Sequence, residues 1–281
     1  MSNLAYPLFV SDIDGTLVTE FKAIPAANRA SIAEFRQRGG QFTLATGRSF
    51  AEAKRFIEEL HVELPVILCN GGILFDPQSN TLTPVATIDR DIVFDALAHL
   101  RRIAPPIDIF IYTTELVYAT GISPATQAAV EAGVESGEFP LEIVSSYDRL
   151  PQVPWIKLVV VADNRWMPDL HRWAETTDYP LEFVQSSDNY FEILPRGISK
   201  GNAVRALTET LDLTPASAAV IGDHLNDLSM VRVAGKSAAV ANAHPHLIQA
   251  ADHIMPSNEE AGVSQFIDNH VLIPTETAQK R

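Results

Sequence analysis

Short apolar segments alternate with helical segments along the first 80 residues. Residues 8–10, 42–45 and 66–69 are apolar runs with the length of buried strands. Residues 25–38 are predicted to form a helix, which the glycines at 39 and 40 end. Short apolar strands joined by helices indicate a parallel sheet with helices on its faces.

The pattern changes after residues 70–72, Asn-Gly-Gly. Residues 73–75 and 81–83 flank a turn-forming stretch and therefore predict a hairpin. Residues 89–194 then carry strands of a more alternating character, which is typical of an antiparallel sheet with one face in the core. Helical patterns lie between these strands, at about 91–103, 123–136 and 165–176.

From residue 199 the alternation of strand and helix resumes. The predicted elements are a helix at 199–211, a strand at 218–222, a helix at 226–234, a strand at 237–241, a helix at 244–251 and a last helix at about 258–269. We therefore predict an α/β fold with a Rossmann-like parallel-sheet core, residues 1–83 and 195–281, split by an inserted α+β domain, residues 84–194. Two crossings of this kind suggest a lid over a cleft.

Composition narrows the class of protein. The chain has 281 residues, of which 46% are hydrophobic and 20% charged, and its net charge is −14. This balance disfavours binding to a nucleic-acid backbone but permits a small phosphorylated ligand. No apolar run is long enough to span a bilayer, the N-terminus does not have the pattern of a signal peptide, and the single cysteine, Cys69, reads as a buried hydrophobe. We expect a cytoplasmic protein, and the sequence indicates no oligomeric state.

Four polar signatures follow strands or open helices of the predicted core. In an open parallel sheet, ligands bind beyond the carboxyl ends of the strands, so these signatures are expected to meet. Each alone would be an ordinary turn, cap or surface lysine, and only their combination predicts a site. The signatures are Asp12 and Asp14, then Thr46-Gly47-Arg48, then Lys200, then Gly222-Asp223-His224-Leu225-Asn226-Asp227.

The paired aspartates indicate phosphate chemistry. Asp12 and Asp14 are two positions apart and project to the same side of an extended strand, so one can attack while the other handles protons. Like charges this close do not both stay ionised cheaply, and a divalent cation relieves the conflict. A site built only from oxygen ligands suits Mg²⁺.

The ordered set DIDGTL, ATGR, ISKGNAV and GDHLND resembles the four motifs of the haloacid dehalogenase-like phosphatases. The long insertion between the second and third motifs resembles a C2-type cap. The segments EILPRGISKG and GDHLND resemble the Cof-type, or IIB, branch. The resemblance covers the whole chain and implies a Mg²⁺-dependent phosphatase for a small phosphorylated metabolite, a sugar phosphate being the commonest substrate expected in this branch.

The resemblance also implies a role for each motif residue. Asp12 would be the nucleophile that forms an aspartyl-phosphate, and Asp14 the general acid and then base. The metal ligands would be the Asp12 carboxylate, the Asp14 backbone carbonyl and Asp223, with Asp227 behind them orienting a metal water or Lys200. The residues implied to hold the phosphoryl oxygens are Ile13, Thr46, Gly47, Lys200 and Asn226.

Other polar residues carry weaker predictions. Arg48 is a candidate substrate contact and could equally pair with surface carboxylates. Asn70 and Gly71 are candidate contacts near the cleft floor, or form a plain turn. His224 receives no role. Side chains read as surface or packing residues, and not as a metal or sugar site, are His244, His246, His253, Trp155, Trp166 and Trp173.

Two other functions compete with a phosphatase. A sugar phosphomutase would use the same scaffold and return the phosphoryl group to a sugar hydroxyl. A phospho-accepting signalling module also gathers aspartates, a threonine and a lysine at strand ends. Asp14 argues against such a module, because an acid/base two residues from the nucleophile would hydrolyse the phosphoenzyme. A catalytically dead binding protein is disfavoured because no motif position is missing.

Overall fold

A computed structural model describes residues 4–104, 107–135 and 137–272, so the end of the predicted second core segment, residues 273–281, lies outside the described residues. The strands are β1 (Leu8–Ser11), β2 (Gln41–Leu44), β3 (Val66–Leu68), β4 (Ile73–Asp76), β5 (Thr81–Pro84), β6 (Asp108–Tyr112), β7 (Val117–Ala119), β8 (Leu141–Ile143), β9 (Lys157–Val161), β10 (Leu181–Ser187), β11 (Tyr190–Pro195), β12 (Ala218–Gly222), β13 (Lys236–Val240) and β14 (His253–Met255). The α-helices are α1 (Ala26–Gln37), α2 (Phe50–Glu59), α3 (Arg90–Ile103), α4 (Pro124–Glu135), α5 (Met167–Thr176), α6 (Lys200–Thr210), α7 (Leu228–Val231), α8 (Pro245–Ala250) and α9 (Gly262–Phe266).

The core is a five-stranded sheet in the order β14-β13-β12-β1-β2, and all of its pairings are parallel. All residues of β1 are buried, because the strand lies inside the sheet and helices cover both faces. Phe9 is fully buried in this layer and its ring lies 5.8–6.1 Å from those of Phe35, Phe42 and Phe266. The predicted α/β core is confirmed, and β14 is a strand that the sequence pattern did not predict.

The third predicted strand pairs differently from the expectation. It was predicted as a strand of the parallel sheet, but β3 pairs antiparallel with β4, and β4 pairs antiparallel with the predicted hairpin partner β5. A single parallel bridge between Ala45 and Ile67 joins this small sheet to the core. The chain reverses directly after β3, so β4 pairs with one edge of β3. A further parallel strand could have paired with that edge instead.

The inserted segment forms a six-stranded sheet in the order β10-β11-β9-β6-β7-β8, in which only the pairing of β7 with β8 is parallel. Strands β8 and β11 were not predicted, whereas the predicted α+β character of the insertion is confirmed. One face of the sheet packs with α3 and α5 in a second hydrophobic cluster. The boundaries at residues 83/84 and 194/195 remain predictions.

The last predicted helices are broken into shorter segments, and the final one continues after α9 as a π-helix, Ile267–Val271. The helix predicted at 226–234 is a 3₁₀ turn followed by α7, and the helix predicted at 258–269 begins as a separate 3₁₀ turn. Ala261 then adopts a left-handed conformation with φ of 58°, which ends the turn before α9 begins. A right-handed helix cannot continue through such a residue. No helix in the described ranges is long and apolar enough to cross a membrane.

We expect Phe9→Ala to lower the free energy of unfolding by about 3–5 kcal/mol, because it opens a cavity between packed rings. Phe21→Ala is the matched control, since that ring is 87% exposed and should change stability by no more than about 0.5 kcal/mol. Urea unfolding followed by circular dichroism measures both. Equal losses in the two variants would contradict the assignment of Phe9 to the core.

Candidate active site

The order of the core strands brings the first, second and fourth sequence signatures together. Because β1 lies between β12 and β2, Asp12 at its carboxyl end lies between Asp223 and Thr46, which follow the neighbouring strands. The backbone continues this register for one residue, since Asp12 N–H donates to the Ile221 carbonyl at 3.1 Å. The expectation that these signatures meet at one edge of the sheet therefore matches the structure.

Lys200 lies at the centre of the site. It is the first residue of α6, and its side chain is fully buried although it carries a charge. Its Nζ donates to Asp12 Oδ1 and to Asp227 Oδ1, each at 2.6 Å. Burial works against the charged form, but the two carboxylates outweigh it and raise the pKa of Lys200, so the ammonium stays charged.

Gly71 allows α6 to begin at this position. Its φ is +99°, and a β-carbon there would lie 2.7 Å from the Ser199 carbonyl oxygen. A larger residue would therefore push the start of α6, and Lys200 with it, away from Asp12. Gly71 was predicted as a candidate substrate contact, and the structure places it against Ser199 and Ala203 instead of on the cavity wall.

Asp227 stabilises the fourth signature. While Oδ1 accepts from Lys200, Oδ2 accepts the backbone N–H groups of Asp223 and His224 at 2.9 and 3.1 Å. The carboxylate thereby holds the loop that carries Asp223 and fixes the lysine at the same time. Asp227 therefore orients Lys200, and its predicted position behind the metal ligands stays a prediction.

Three carboxylates converge in the site. One oxygen from each of Asp12, Asp223 and Asp227 lies within 4.8 Å of the others, and among the described residues this is the one group of three or more acidic, His or Cys side chains that could hold a metal ion. Burial raises the pKa of Asp12 to about 7, although Lys200 opposes the shift. Burial and the charges of Asp12 and Asp227 raise the pKa of Asp223 well above its usual value.

This cluster fits a hard divalent cation. One ammonium faces three carboxylates, so negative charge is left over in a buried place, where a cation is the usual compensation. The backbone at Gly15 also lies close to the Asp223 carboxylate, because a β-carbon on Gly15 would lie 2.3 Å from Asp223 Oδ2. Thr16 Oγ1 donates to Asp223 Oδ1 at 3.0 Å and orients the carboxylate. Asp12 and Asp223 thus offer carboxylate oxygens, the type of ligand that the predicted metal ion prefers.

Asp14 lies apart from the three-carboxylate cluster and pairs with two cations. Its carboxylate accepts from Arg48 Nε and Nη2 at 2.6 and 2.8 Å, and from Lys22 Nζ at 2.6 Å. Burial works to raise the pKa of Asp14, but the hydrogen bond and charge of Arg48, with those of Lys22, hold it well below its usual range. Arg48, the predicted candidate substrate contact, therefore holds Asp14. Nothing in the sequence pattern indicated Lys22.

The start of the Asn-Gly-Gly segment is hydrogen-bonded to the loop after β2. Asn70 N–H donates to the Thr46 carbonyl and Cys69 N–H to the Arg48 carbonyl, both at 2.9 Å. Asn226 Nδ2 donates to Asn70 Oδ1 at 3.1 Å, while Asn70 Nδ2 and Asn226 Oδ1 are buried and have no partner within the described residues. These bonds fix the loop after β2 and the fourth signature relative to each other.

The remaining predicted residues lie as follows. Thr46 and Gly47 line a cavity, whereas the Ile13 side chain is fully buried and its carbonyl accepts from the Leu17 N–H at 3.0 Å. Burial raises the pKa of the Cys69 thiol to about 12, which agrees with an inert buried residue. The three tryptophans pack in or against the second hydrophobic cluster.

The histidines do not form one cluster. The rings of His224, His244 and His246 follow one another at 5.5 and 5.1 Å, but His253 stacks on His270 at 3.9 Å in another part of the fold. The interpretation of His244, His246 and His253 as surface or packing residues stays a prediction.

A cavity of about 470 Å³ opens above these core residues and beneath the inserted sheet. Its floor includes Asp12, Asp14 and Asp223, so the carboxylates face the space where a ligand would bind. This volume matches the pockets that proteins use for small molecules.

The sequence analysis missed a buried ion pair in the roof of this cavity. Lys157 Nζ donates to Glu192 Oε2 at 2.6 Å and to the Gly47 carbonyl at 2.7 Å, and both charged side chains are almost fully buried. The contact with Gly47 joins the inserted sheet to the loop after β2. A charged residue inside each of two apolar strands, WIKLVVVA and YFEILP, was the available signal.

Comparisons with known proteins agree with this geometry. The family model described as haloacid dehalogenase-like hydrolase matches residues 9–267. "Phosphatase YwpJ" of Bacillus subtilis is 26% identical, over 94% of this chain and 99% of the relative. "5-amino-6-(5-phospho-D-ribitylamino)uracil phosphatase YcsE" of the same organism is 27% identical, over 94% and 96%. A solved haloacid dehalogenase-like hydrolase from B. subtilis, at 22% identity, superposes with a TM-score of 0.82 over 94% of this chain and 100% of that one.

We expect Lys200→Met to lower the free energy of unfolding by about 3–5 kcal/mol without divalent cations, because it leaves two carboxylates buried and unpaired. Adding Asp12→Asn should restore part of that loss, since one of the uncompensated charges is removed. Urea unfolding in EDTA measures the two variants and their parent.

Lys54→Met is the matched control, because that side chain is 56% exposed on α2 and should be close to neutral. A Lys200→Met protein as stable as this control would contradict the electrostatic account of the site.

Proposed function

The chain belongs to the haloacid dehalogenase-like hydrolase family and is a phosphatase, and on this premise we propose that it hydrolyses its substrate with Mg²⁺ as cofactor and Asp12 as nucleophile. The relative YcsE is named for a small phosphorylated metabolite, and we propose a substrate of that class. The observation that carries the proposal is the contact of the buried Lys200 with Asp12, whose carboxylate lies on the floor of the cavity. A cytoplasmic location remains a prediction.

Asp12 would attack phosphorus in line with the leaving oxygen. Phosphoryl transfer depends mainly on aligning the nucleophile with phosphorus and on compensating the negative charge of the phosphoryl group. The site has groups for both tasks. Lys200 fixes the Asp12 carboxylate by a 2.6 Å hydrogen bond and places a positive charge beside the incoming phosphoryl oxygens. Thr46 and Asn226, which line the cavity, would donate to those oxygens.

The proposed Mg²⁺ ligands are the Asp12 and Asp223 carboxylates and the Asp14 backbone carbonyl. When bound, the ion would neutralise negative charge on the carboxylates and on the substrate phosphate. Thr16 would keep Asp223 oriented for this task, and Asp227 would keep the loop and Lys200 in place.

Asp14 would donate a proton to the leaving oxygen and then take one from the water that attacks the phosphoenzyme. In the structure its carboxylate is held ionised by Arg48 and Lys22. A proton donor must first be protonated, so we propose that entry of a phosphate dianion draws these cations toward the substrate and weakens their hold on Asp14. Before the substrate enters, Arg48 positions the acid/base through its bidentate contact.

A sugar phosphomutase remains the competing proposal, since the floor of the cavity would serve it equally. Release of inorganic phosphate separates the two functions, because a mutase retains the phosphoryl group. A signalling module is less well supported, since Asp14 reaches the same cavity as Asp12. The expectation of a sugar phosphate as substrate remains a prediction.

We expect Asp12→Asn to abolish Mg²⁺-dependent phosphate release and phosphoenzyme formation, because an amide does not act as the nucleophile. The assay uses p-nitrophenyl phosphate and a panel of metabolite phosphates, with Mg²⁺ or with EDTA. Asp212→Asn is the matched control, since this exposed residue lies outside the site and should retain full activity.

Substantial residual turnover in Asp12→Asn would overturn the nucleophile assignment. A stable phosphoenzyme in the wild type without release of phosphate would favour the mutase or the signalling module instead.

We expect Asp14→Asn to lower kcat by roughly 10²–10⁴-fold with an alkyl phosphate, the usual range for loss of a general acid. The loss should be smaller with p-nitrophenyl phosphate, whose leaving group needs little protonation. The ratio of the two losses is the measurement, and equal losses would mean that Asp14 does not act mainly by protonating the leaving group.

A further inference from the structure

One buried ammonium connects the inserted sheet with the loop after β2. Lys157 is the first residue of β9, and its side chain is only 3% exposed. Its Nζ donates to the Gly47 carbonyl at 2.7 Å and to Glu192 Oε2 at 2.6 Å. Because Gly47 belongs to the second signature, a residue of the inserted sheet contacts the loop that is expected to hold the phosphate.

The peptide group between Gly47 and Arg48 is held on both sides. Its carbonyl accepts from Lys157, and its N–H donates to Thr46 Oγ1 at 3.2 Å. Since Thr46 Oγ1 accepts this bond, the hydroxyl hydrogen is available for another acceptor, such as a phosphoryl oxygen. The guanidinium of Arg48 makes the bidentate contact with Asp14. A rotation of this one peptide would therefore move both the hydroxyl that faces the phosphate and the partner of the acid/base.

Glu192 holds Lys157 in position and lies against the same loop. A β-carbon on Gly47 would lie 3.2 Å from Glu192 Oε1, so the glycine lets the carboxylate approach closely. Replacing a buried ion pair by apolar side chains of similar size is often neutral or even stabilising. Stability alone therefore does not explain the two buried charges, and the bond to the Gly47 carbonyl is the contact that an apolar pair would not provide.

A direct contact of Lys157 with the substrate is the alternative, because this residue also lines the cavity. An ammonium has three N–H groups. Two of them are bonded to Gly47 and Glu192, and Nζ lies 4.5 Å from the centre of the Tyr112 ring, within the range of a cation–π contact. Lys157 therefore has little capacity left for a substrate, whereas its contact with the loop is already made.

We propose that Lys157 is a positioning residue for phosphoryl transfer, which holds the Gly47–Arg48 peptide and thereby directs the Thr46 hydroxyl and the Arg48 guanidinium. This inference rests on the proposed phosphatase function and gives the inserted sheet a part in the reaction itself. The sheet then completes the phosphate site in addition to covering the organic group. Misplacing a group by about 1 Å can lower a rate by roughly 10²-fold, so the loss of this bond should be measurable.

The test removes both charges of the pair together, in a protein with Lys157→Met and Glu192→Met that we name the Met-pair variant. Neither charge is then left buried alone, so we expect a urea midpoint close to that of the wild type. The bond from Lys157 to the Gly47 carbonyl is nevertheless lost. With Mg²⁺ we expect kcat to fall about tenfold or more and KM to change by less than about threefold, because positioned groups act most strongly in the transition state.

Two substrates of different size distinguish positioning from direct contact. Acetyl phosphate and p-nitrophenyl phosphate both have leaving groups that need little protonation, but the second has a much larger organic group. If Lys157 acts through the loop, both substrates should lose kcat by a similar factor, because the loop acts on the phosphoryl group that they share. A loss confined to p-nitrophenyl phosphate and expressed in KM would overturn the proposal and make Lys157 a substrate contact.

A double-mutant cycle with Thr46→Val tests the route through the hydroxyl. If Lys157 acts through Thr46, the replacements of the Met-pair variant should lower kcat several-fold less in the Thr46→Val protein than in the wild type. Effects on kcat that multiply fully would overturn this route, since they would mean that Lys157 and Thr46 act independently.

Arg172→Met combined with Asp169→Met is the matched control, because this ion pair lies on α5 of the same inserted segment and outside the cavity. It should change kcat by no more than about twofold. A Met-pair variant as active as this control would overturn the positioning role and leave the phosphatase standing. Absence of Mg²⁺-dependent phosphate release by the wild type would refute the phosphatase, and the inference would fall with it.

A second variant keeps the test decisive if the Met-pair variant does not fold. Lys157→Met combined with Glu192→Gln retains the shape of the glutamate and removes only its charge. The bond to the Gly47 carbonyl is lost in the same way, so the same fall in kcat on both substrates is expected. Activity within about threefold of the wild type would overturn the proposal.

Discussion

One buried ammonium surrounded by carboxylates is the constraint on which the core depends. Lys200 is fully buried and 2.6 Å from both Asp12 and Asp227, an arrangement that water cannot screen. Each partner must therefore come from a rigid element: Asp12 from the central strand, Asp227 from the loop after β12, and Lys200 from the first turn of α6. Gly71 contributes to this arrangement, because its lack of a side chain lets α6 begin where Lys200 can reach Asp12.

The two predicted acid residues of the first signature have different surroundings, although they are only two positions apart. Asp12 is buried among like charges, which raises its pKa, whereas Asp14 faces Arg48 and Lys22, which lower its pKa. Two carboxylates in one site can take separate roles only when their surroundings differ in this way. The bidentate contact of Arg48 also fixes the plane of the Asp14 carboxylate, so the side chain has a defined direction toward the cavity.

Features that depend on local order along the chain were predictable from the sequence. The placement of Asp12, Thr46 and Asp223 at one edge follows from strands that end at those residues in a parallel sheet. The partners of Asp14 were not predictable, because Lys22 and Arg48 reach it through loop conformations that leave no periodic signal. Strand β11 was missed because its apolar run is broken by Glu192, whose charge is compensated only by Lys157 from another strand.

The Lys157–Glu192 pair in the roof carries no net charge, so the floor of the cavity determines the charge around a bound phosphate. Lys157 and Glu192 cancel each other, so the field at the phosphate site comes from Lys200, the carboxylates and the cations beside Asp14. A net charge in the roof would act on the phosphate from the wrong side and would depend on how closely the inserted sheet approaches the core. With a neutral pair in that place, the charges that act on the phosphate are set by the floor of the cavity.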